Sequence, residues 1–441
     1  MAITVSNIST TTGAVASGTV NSVTSSVGNL SIVVVVEENS SSTISSVADN
    51  KGNTYYLAVM HIESRLGPTE IWYAPNATTG ITTITLNFSA GLAIATFYDC
   101  SGAALNPLVC SDFIESNATG SSTTNPVGPT VNYNVGGGLV VSTISFSNTT
   151  VSVASPFTLD YSLAGVGGMA HYAYSTAGVF APSWTLVLAE SWAGSSALFA
   201  SSTGTDNIRF SKGKSYLGLS TISSNPLITA VGDLVILTFP VDSSSGSNPI
   251  FSDNKGNTFT NISTMSPYTG GGGFDYAAYC ILTTAGTNHI FTYNTTSLSY
   301  GPILALVITP SSTPTFNANG VGFTSSSVTN YTNASCSPTS TDFLVSFVEG
   351  FGGLESSWAA GASWLLGPFE LDGNNYQDPT ACAYQLSAVG GSTTDNFTVS
   401  PTASKSIGEL IFSFTIPGGG PATAIYPSDM TPGTNVVFEI G

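Results

Sequence analysis

Apolar residues along this chain fall into runs of about four to ten, rich in Val, Ile, Thr and aromatics, and closed by Gly, Asn, Ser or Pro. Asn29-Leu-Ser-Ile-Val-Val-Val-Val-Glu-Glu38, Thr69-Glu-Ile-Trp-Tyr73 and Gly91-Leu-Ala-Ile-Ala-Thr-Phe97 are typical, and the last alternates most clearly. A period of two, with turn residues every 8–12 positions or so, predicts an all-β chain of sandwich or jelly-roll-like modules. About eight strands are expected in the first hundred residues or so. No stretch keeps a helical period together with caps, so helices of more than a turn or two are not expected.

Internal repetition organises these runs. Asp49-Asn-Lys-Gly-Asn-Thr54 recurs unchanged as Asp253-Asn-Lys-Gly-Asn-Thr258, and an aromatic follows each copy, Tyr55 or Phe259. Upstream, Gly28-Asn-Leu-Ser-Ile-Val33 matches Gly232-Asp-Leu-Val-Ile-Leu237, and downstream Ile84-Thr-Leu-Asn-Phe88 matches Ile290-Phe-Thr-Tyr-Asn294 across a short gap. A second pattern follows each of these: Gly138-Leu-Val-Val-Ser-Thr-Ile144 resembles Asp342-Phe-Leu-Val-Ser-Phe-Val348. Self-similarity of this kind predicts tandem modules in an A-B-A-B order, at 1–105, 106–204, 205–312 and 313–416, with a tail at 417–441.

Composition narrows the function. Only 7% of residues are charged, against about 25% in an ordinary soluble domain, and seven basic residues face 25 acidic ones for a net charge of −18. No positive surface is available for a phosphate backbone, so nucleic acid is excluded as a partner. The longest aliphatic runs, Ile303–Ile308 and Ile32–Val36, are far short of the ~20 residues of a membrane-spanning helix. The first residues lack the basic and apolar regions of a secretory signal, which would be absent or already removed. Cys100, Cys110, Cys280, Cys336 and Cys382 have no metal-binding spacing, and His61, His171 and His289 stand alone, so no metal or other cofactor is expected. Unpaired buried thiols are the main expectation, with a Cys100–Cys110 link as the alternative.

Candidate chemistry is sparse, and no catalytic residue is assigned. Asp49, Asn50 and Asn53 carry oxygen ligands suited to calcium, but the glycine and the intervening lysine fit a hairpin turn better. Glu37 and Glu38 point to opposite faces of a strand, which leaves Glu355, Glu370 and Asp372 as the acidic cluster to consider for glycoside hydrolysis. No histidine has a recognisable serine partner. Trp72, Trp184 and Trp192 belong with the core, whereas Trp358 and Trp364 flank Gly361 and form an exposed pair that could stack on a sugar. Asn76, Asn87, Asn148, Asn261, Asn294 and Asn396 stand in N-glycosylation sequons.

The repeated Asp-Asn-Lys-Gly-Asn-Thr-aromatic turn, Ile71-Trp-Tyr-Ala-Pro75 and the strand Gly80-Ile-Thr-Thr-Ile-Thr-Leu86 resemble the tandem β-sandwich repeats of microbial surface proteins, extracellular filaments and virion appendages. That resemblance implies a structural subunit at a cell or virion surface, not an enzyme, whose partners are copies of itself. A carbohydrate-binding adhesin that engages surface glycans is the alternative. Strand donation is one expected mode of joining, the alternative being a tail that folds back on its own chain. Thr434–Ile440 reads as one extra strand with Val436, Phe438 and Ile440 on one face, and Ile3-Thr-Val5 is the second candidate donor.

Overall fold

The computed structural model describes residues 2–10, 18–21, 29–37, 43–61, 66–88, 93–115, 123–133, 137–147, 150–176, 178–202, 208–213, 219–242, 250–264, 273–299, 303–324, 330–331, 334–339, 342–350, 357–360, 364–370, 380–385, 391–394, 397–400 and 407–417. Among these residues every regular element is a strand, and the chain is all-β.

Four large sheets of five strands carry the architecture, and all four have one strand order. In the first, the order is Thr4–Thr10, Ala93–Ser101, Leu30–Glu37, Thr69–Pro75, Tyr56–His61. The second runs Ala103–Glu115, Trp192–Ser201, Gly138–Phe146, Gly167–Tyr174, Thr158–Leu163. The third runs Ile208–Gly213, Ile303–Ile308, Leu234–Asp242, Gly273–Ile281, Thr260–Thr264. The fourth runs Thr315–Thr324, Ile407–Thr415, Phe343–Gly350, Thr380–Gln385, Leu365–Glu370. Each sheet's opening strand lies at an edge beside the strand that closes it. The two patterns that look distinct in the sequence therefore fold to the same topology. Smaller sheets accompany each large one, such as Gly18–Asn21, Thr83–Phe88 and Ile44–Asp49 beside the first.

The central strand explains why the longest apolar runs do not alternate. All eight residues of Leu30–Glu37 are buried. Ile32, Val34 and Val36 face Leu139, Val141, Ala197 and Phe199 of the second large sheet, while Val33 and Val35 face Ile44, Val47, Ile84 and Leu86 of the small sheet. The third and fourth sheets repeat this: Leu234 and Ile236 join Phe343, Val345 and Phe347, while Val235, Leu237 and Phe239 join Phe251, Phe291 and Tyr293. Each half of the chain is thus layered small sheet, large sheet, large sheet, small sheet. A large sheet with both faces covered needs apolar residues at consecutive positions.

Where the first two large sheets meet, Gly167 makes close approach possible. A Cβ built there would lie 2.5 Å from the Ile144 carbonyl oxygen and 2.9 Å from Val36 Cγ1. Thr69 and Ser195 hydroxyls hydrogen-bond across the same interface at 2.7 Å, and the Tyr73 and Phe199 rings lie 5.6 Å apart. We expect Gly167→Val to overpack this interface and destabilise the protein by about 1–3 kcal/mol. A lower midpoint in chemical denaturation checks this, and an unchanged midpoint would show that the sheets are not closely apposed there.

Candidate functional site

The repeated turn comes first, because its two copies make matching bonds. Asp49 Oδ1 accepts from the Lys51 and Asn53 amides at 2.8 and 3.2 Å, and Asp253 Oδ1 accepts from those of Lys255 and Asn257 at 3.0 Å each. In both copies the asparagine Nδ2 donates to the second carboxylate oxygen at 2.7 Å. Asn53 Oδ1 then accepts from the Thr78 amide, as Asn257 Oδ1 does from Thr283 and Thr284. Gly52 and Gly256 take φ values of +74° and +81°, which favour glycine. These oxygens are occupied by N–H donors, so the motif fastens a turn to the opposite loop.

In the second copy a histidine enters the cluster. His289 Nε2 donates to Asp253 Oδ2 at 2.9 Å, and the Thr229 hydroxyl donates to His289 Nδ1 at 2.7 Å. Hydroxyl, imidazole and carboxylate in series are the components of a nucleophilic triad. Burial decides against that chemistry: the His289 and Asp253 side chains are 0% exposed and Thr229 is 6% exposed, which leaves no room for a substrate acyl group. Burial acts to raise the Asp253 carboxyl, but the Asn257 and His289 side chains and the two amides together hold it below its usual range. Burial keeps the His289 imidazole below its ordinary value despite Asp253.

A second recurrent latch precedes three of the four central strands, and it is not among the motifs expected from the sequence. Asp233 accepts from Arg209 Nη2 at 2.6 Å and from the Thr309 hydroxyl at 2.7 Å, joining the opening strand to the end of the closing one. Asp342 does the same for Asn317 at 2.6 Å and Thr415 at 2.8 Å. Asn29 holds Ala103 through both its amide groups. The legible signal is a single Asp or Asn just before the central run of the first, third and fourth sheets, as in Gly232-Asp-Leu234 and Asp342-Phe-Leu344, whereas Gly138 stands there in the second.

Two further polar groups lie between sheets. Asp160 accepts from His171 Nδ1 at 2.7 Å and from the Tyr98 hydroxyl at 2.8 Å, so the carboxylate bridges the first and second large sheets. Glu70 is fully buried and accepts from the Ile44 amide at 2.8 Å and the Trp72 indole at 2.7 Å. Burial pushes its carboxyl up to about 7, opposed by those two donors and reinforced by nearby Glu37.

The residues expected at binding sites are not brought together. Trp364 is 6% exposed and packs in the core shared by the second and fourth sheets, which corrects its assignment to an exposed sugar-stacking pair; it contributes a large apolar surface to that core. Trp358 sits opposite Val399 on the strand Ser357–Ala360. Ile3 is 1% exposed and Val5 pairs with Cys100, so this N-terminal segment serves as an edge strand of its own sheet rather than as a free donor. Val436, Phe438 and Ile440 lie outside the described residues, as do Glu355, Asp372, Asn148 and Asn396. Asn76, Asn87 and Asn261 are exposed, whereas Asn294 is half-buried and accepts from the Thr221 hydroxyl at 2.8 Å. Cys100 is a free buried thiol, so no Cys100–Cys110 link forms, and burial with Asp99 pushes that thiol well up and leaves it unreactive. Among the described residues no group of three or more His, Cys, Asp or Glu side chains is placed to hold a metal, and no helix is long and apolar enough to cross a membrane.

The two halves of the chain meet through unlike faces. Strand Ala103–Glu115 of the first half packs on Ile208–Gly213, Leu227–Thr229 and Leu365–Glu370 of the second. Asn106 accepts from the Ile228 amide at 2.8 Å and donates to its carbonyl at 3.1 Å, and the Tyr56 hydroxyl donates to Asn288 Oδ1 at 3.3 Å. Tyr73, Pro75 and Leu108 line this crevice on one side, with Phe210, Pro226 and Leu227 on the other. Compared with known protein families, curated proteins and solved structures, the chain matches none.

Glu70 generates a pH prediction. Its folded-state value lies above the ordinary carboxylate value, so the stabilising effect of its protonated form is full below the unfolded value and is lost as pH rises through about 7. Replacing it as Glu70→Gln removes that dependence. Between pH 5 and 8 we expect the stability of the variant to gain on the wild type by roughly 3 kcal/mol, read from denaturation at each pH. Parallel pH profiles for the two proteins would refute the assignment.

Proposed function

We propose that this chain is a structural subunit of an extracellular filament or virion surface, whose work is to fold stably and join copies of itself. The observation that carries this reading is one strand order used four times and stacked by sheet faces, with an internal junction between unlike faces, a geometry that extends by repetition. The recurrent carboxylates support it as well, since Asp49, Asp253, Asp233 and Asp342 all fasten strands and turns. Low charge suits a surface built to pack against itself, and exposed Asn76, Asn87 and Asn261 suit one that is glycosylated. With Trp364 in the core, the adhesin reading loses one of its two sugar-stacking rings.

Sedimentation velocity over a concentration series, followed by negative-stain microscopy, tests the proposal. We expect mass to grow with concentration and regular particles or filaments to appear. A chain that stays monomeric and is retained on a glycan array would replace this reading with the adhesin.

A further inference from the structure

A contact between two similar units through different faces leaves each face unoccupied once, at opposite ends of the chain. The strand registers identify those end faces. Leu30 opposes Pro75 and Cys100 as Leu234 opposes Ile281 and Ile308, so Tyr73 corresponds to Tyr279 and Phe210 to Ile8. On the edge strands, Leu108 opposes Phe199 as Phe316 opposes Phe414, which makes Leu108 and Phe316 counterparts.

Burial differs between counterparts in one consistent sense. Tyr73 and Leu108 are buried beneath the second half of the chain. Tyr279 and Phe316, stacked 5.6 Å apart at the far end, are only half-buried. On the complementary side, Phe210 is buried at the junction while Ile8 is half-buried.

We infer that the far face of one copy, centred on Tyr279 and Phe316, seats the near face of the next copy, centred on Ile8, so that copies join head to tail by repeating the junction inside the chain. The inference rests on the self-association reading above and supplies its contact surface. Flanking residues on both faces, Asn7 and Ser9 against Thr315 and Asn317, carry no charge, so none of these four adds a like-charge clash at the contact itself. Such a contact gives an open filament, or a ring where the rotation closes.

The test uses sedimentation velocity on the full chain and on two single-face variants, Ile8→Asp and Phe316→Asp. Each variant alone should remain monomeric. Mixed in equal amounts they should form dimers and nothing longer, because each retains the face that the other lacks. Far-UV circular dichroism verifies folding. Thr260→Arg blocks the far face without touching the core, since Thr260 is exposed and corresponds to Tyr56, which reaches across the internal junction. Ser9→Arg blocks the near face, since half-buried Ser9 corresponds to Ser211 of the junction crevice, and these two variants decide the matter if the aspartate variants fail to fold. Undiminished assembly by Phe316→Asp or Thr260→Arg would overturn the head-to-tail surface and leave self-association standing. Folded variants that stay monomeric when mixed would also overturn it. A wild type that assembles only after residues 418–441 are removed would assign the face to the chain's own tail, and a wild type monomeric at every concentration would overturn both readings.

Discussion

Burial of both faces of the large sheets is the constraint on which everything else here depends. In Leu30–Glu37 successive side chains enter two different cores, one shared with the neighbouring large sheet and one with the small sheet. Either core lost would leave a row of valines or isoleucines in water, at a cost of about 1.5–3 kcal/mol per side chain. Modules built this way are not independent beads. The first two large sheets complete one another, as do the third and fourth.

The same constraint accounts for the few charges. Carboxylates such as Asp233, Asp342 and Asp253 sit at strand ends or turns, where backbone and side-chain donors satisfy them. A buried carboxylate without such donors would be expensive. Glu70 illustrates the limit: even with two N–H donors, burial raises its carboxyl to about 7. A low count of titratable groups does not make stability indifferent to pH when one of them is enclosed.

The proposed self-association draws on what repetition leaves over. Inside the chain one half covers Tyr73 and Leu108 of the other, whereas Tyr279 and Phe316 at the far end remain half-buried. Equivalent positions are thus unequally buried at the two ends of the chain, and that contrast, under the proposed self-association, marks the faces through which copies join.

The amino-acid sequence alone determined the all-β class, the turn at Asp49–Thr54 with its copy at Asp253–Thr258, and the core placement of Trp72, Trp184 and Trp192. These are local properties: alternation, β-branched content and turn chemistry act over a few residues. Only the tertiary structure decided that both sequence patterns share one strand order, that Trp364 is buried, and that Ile3-Thr-Val5 lies in its own sheet. It also brought Tyr98, Asp160 and His171 together, and Thr229 to His289 across 60 positions of sequence. Such contacts depend on which sheet covers which face, and a strand's own residues carry the same alternation whatever lies opposite.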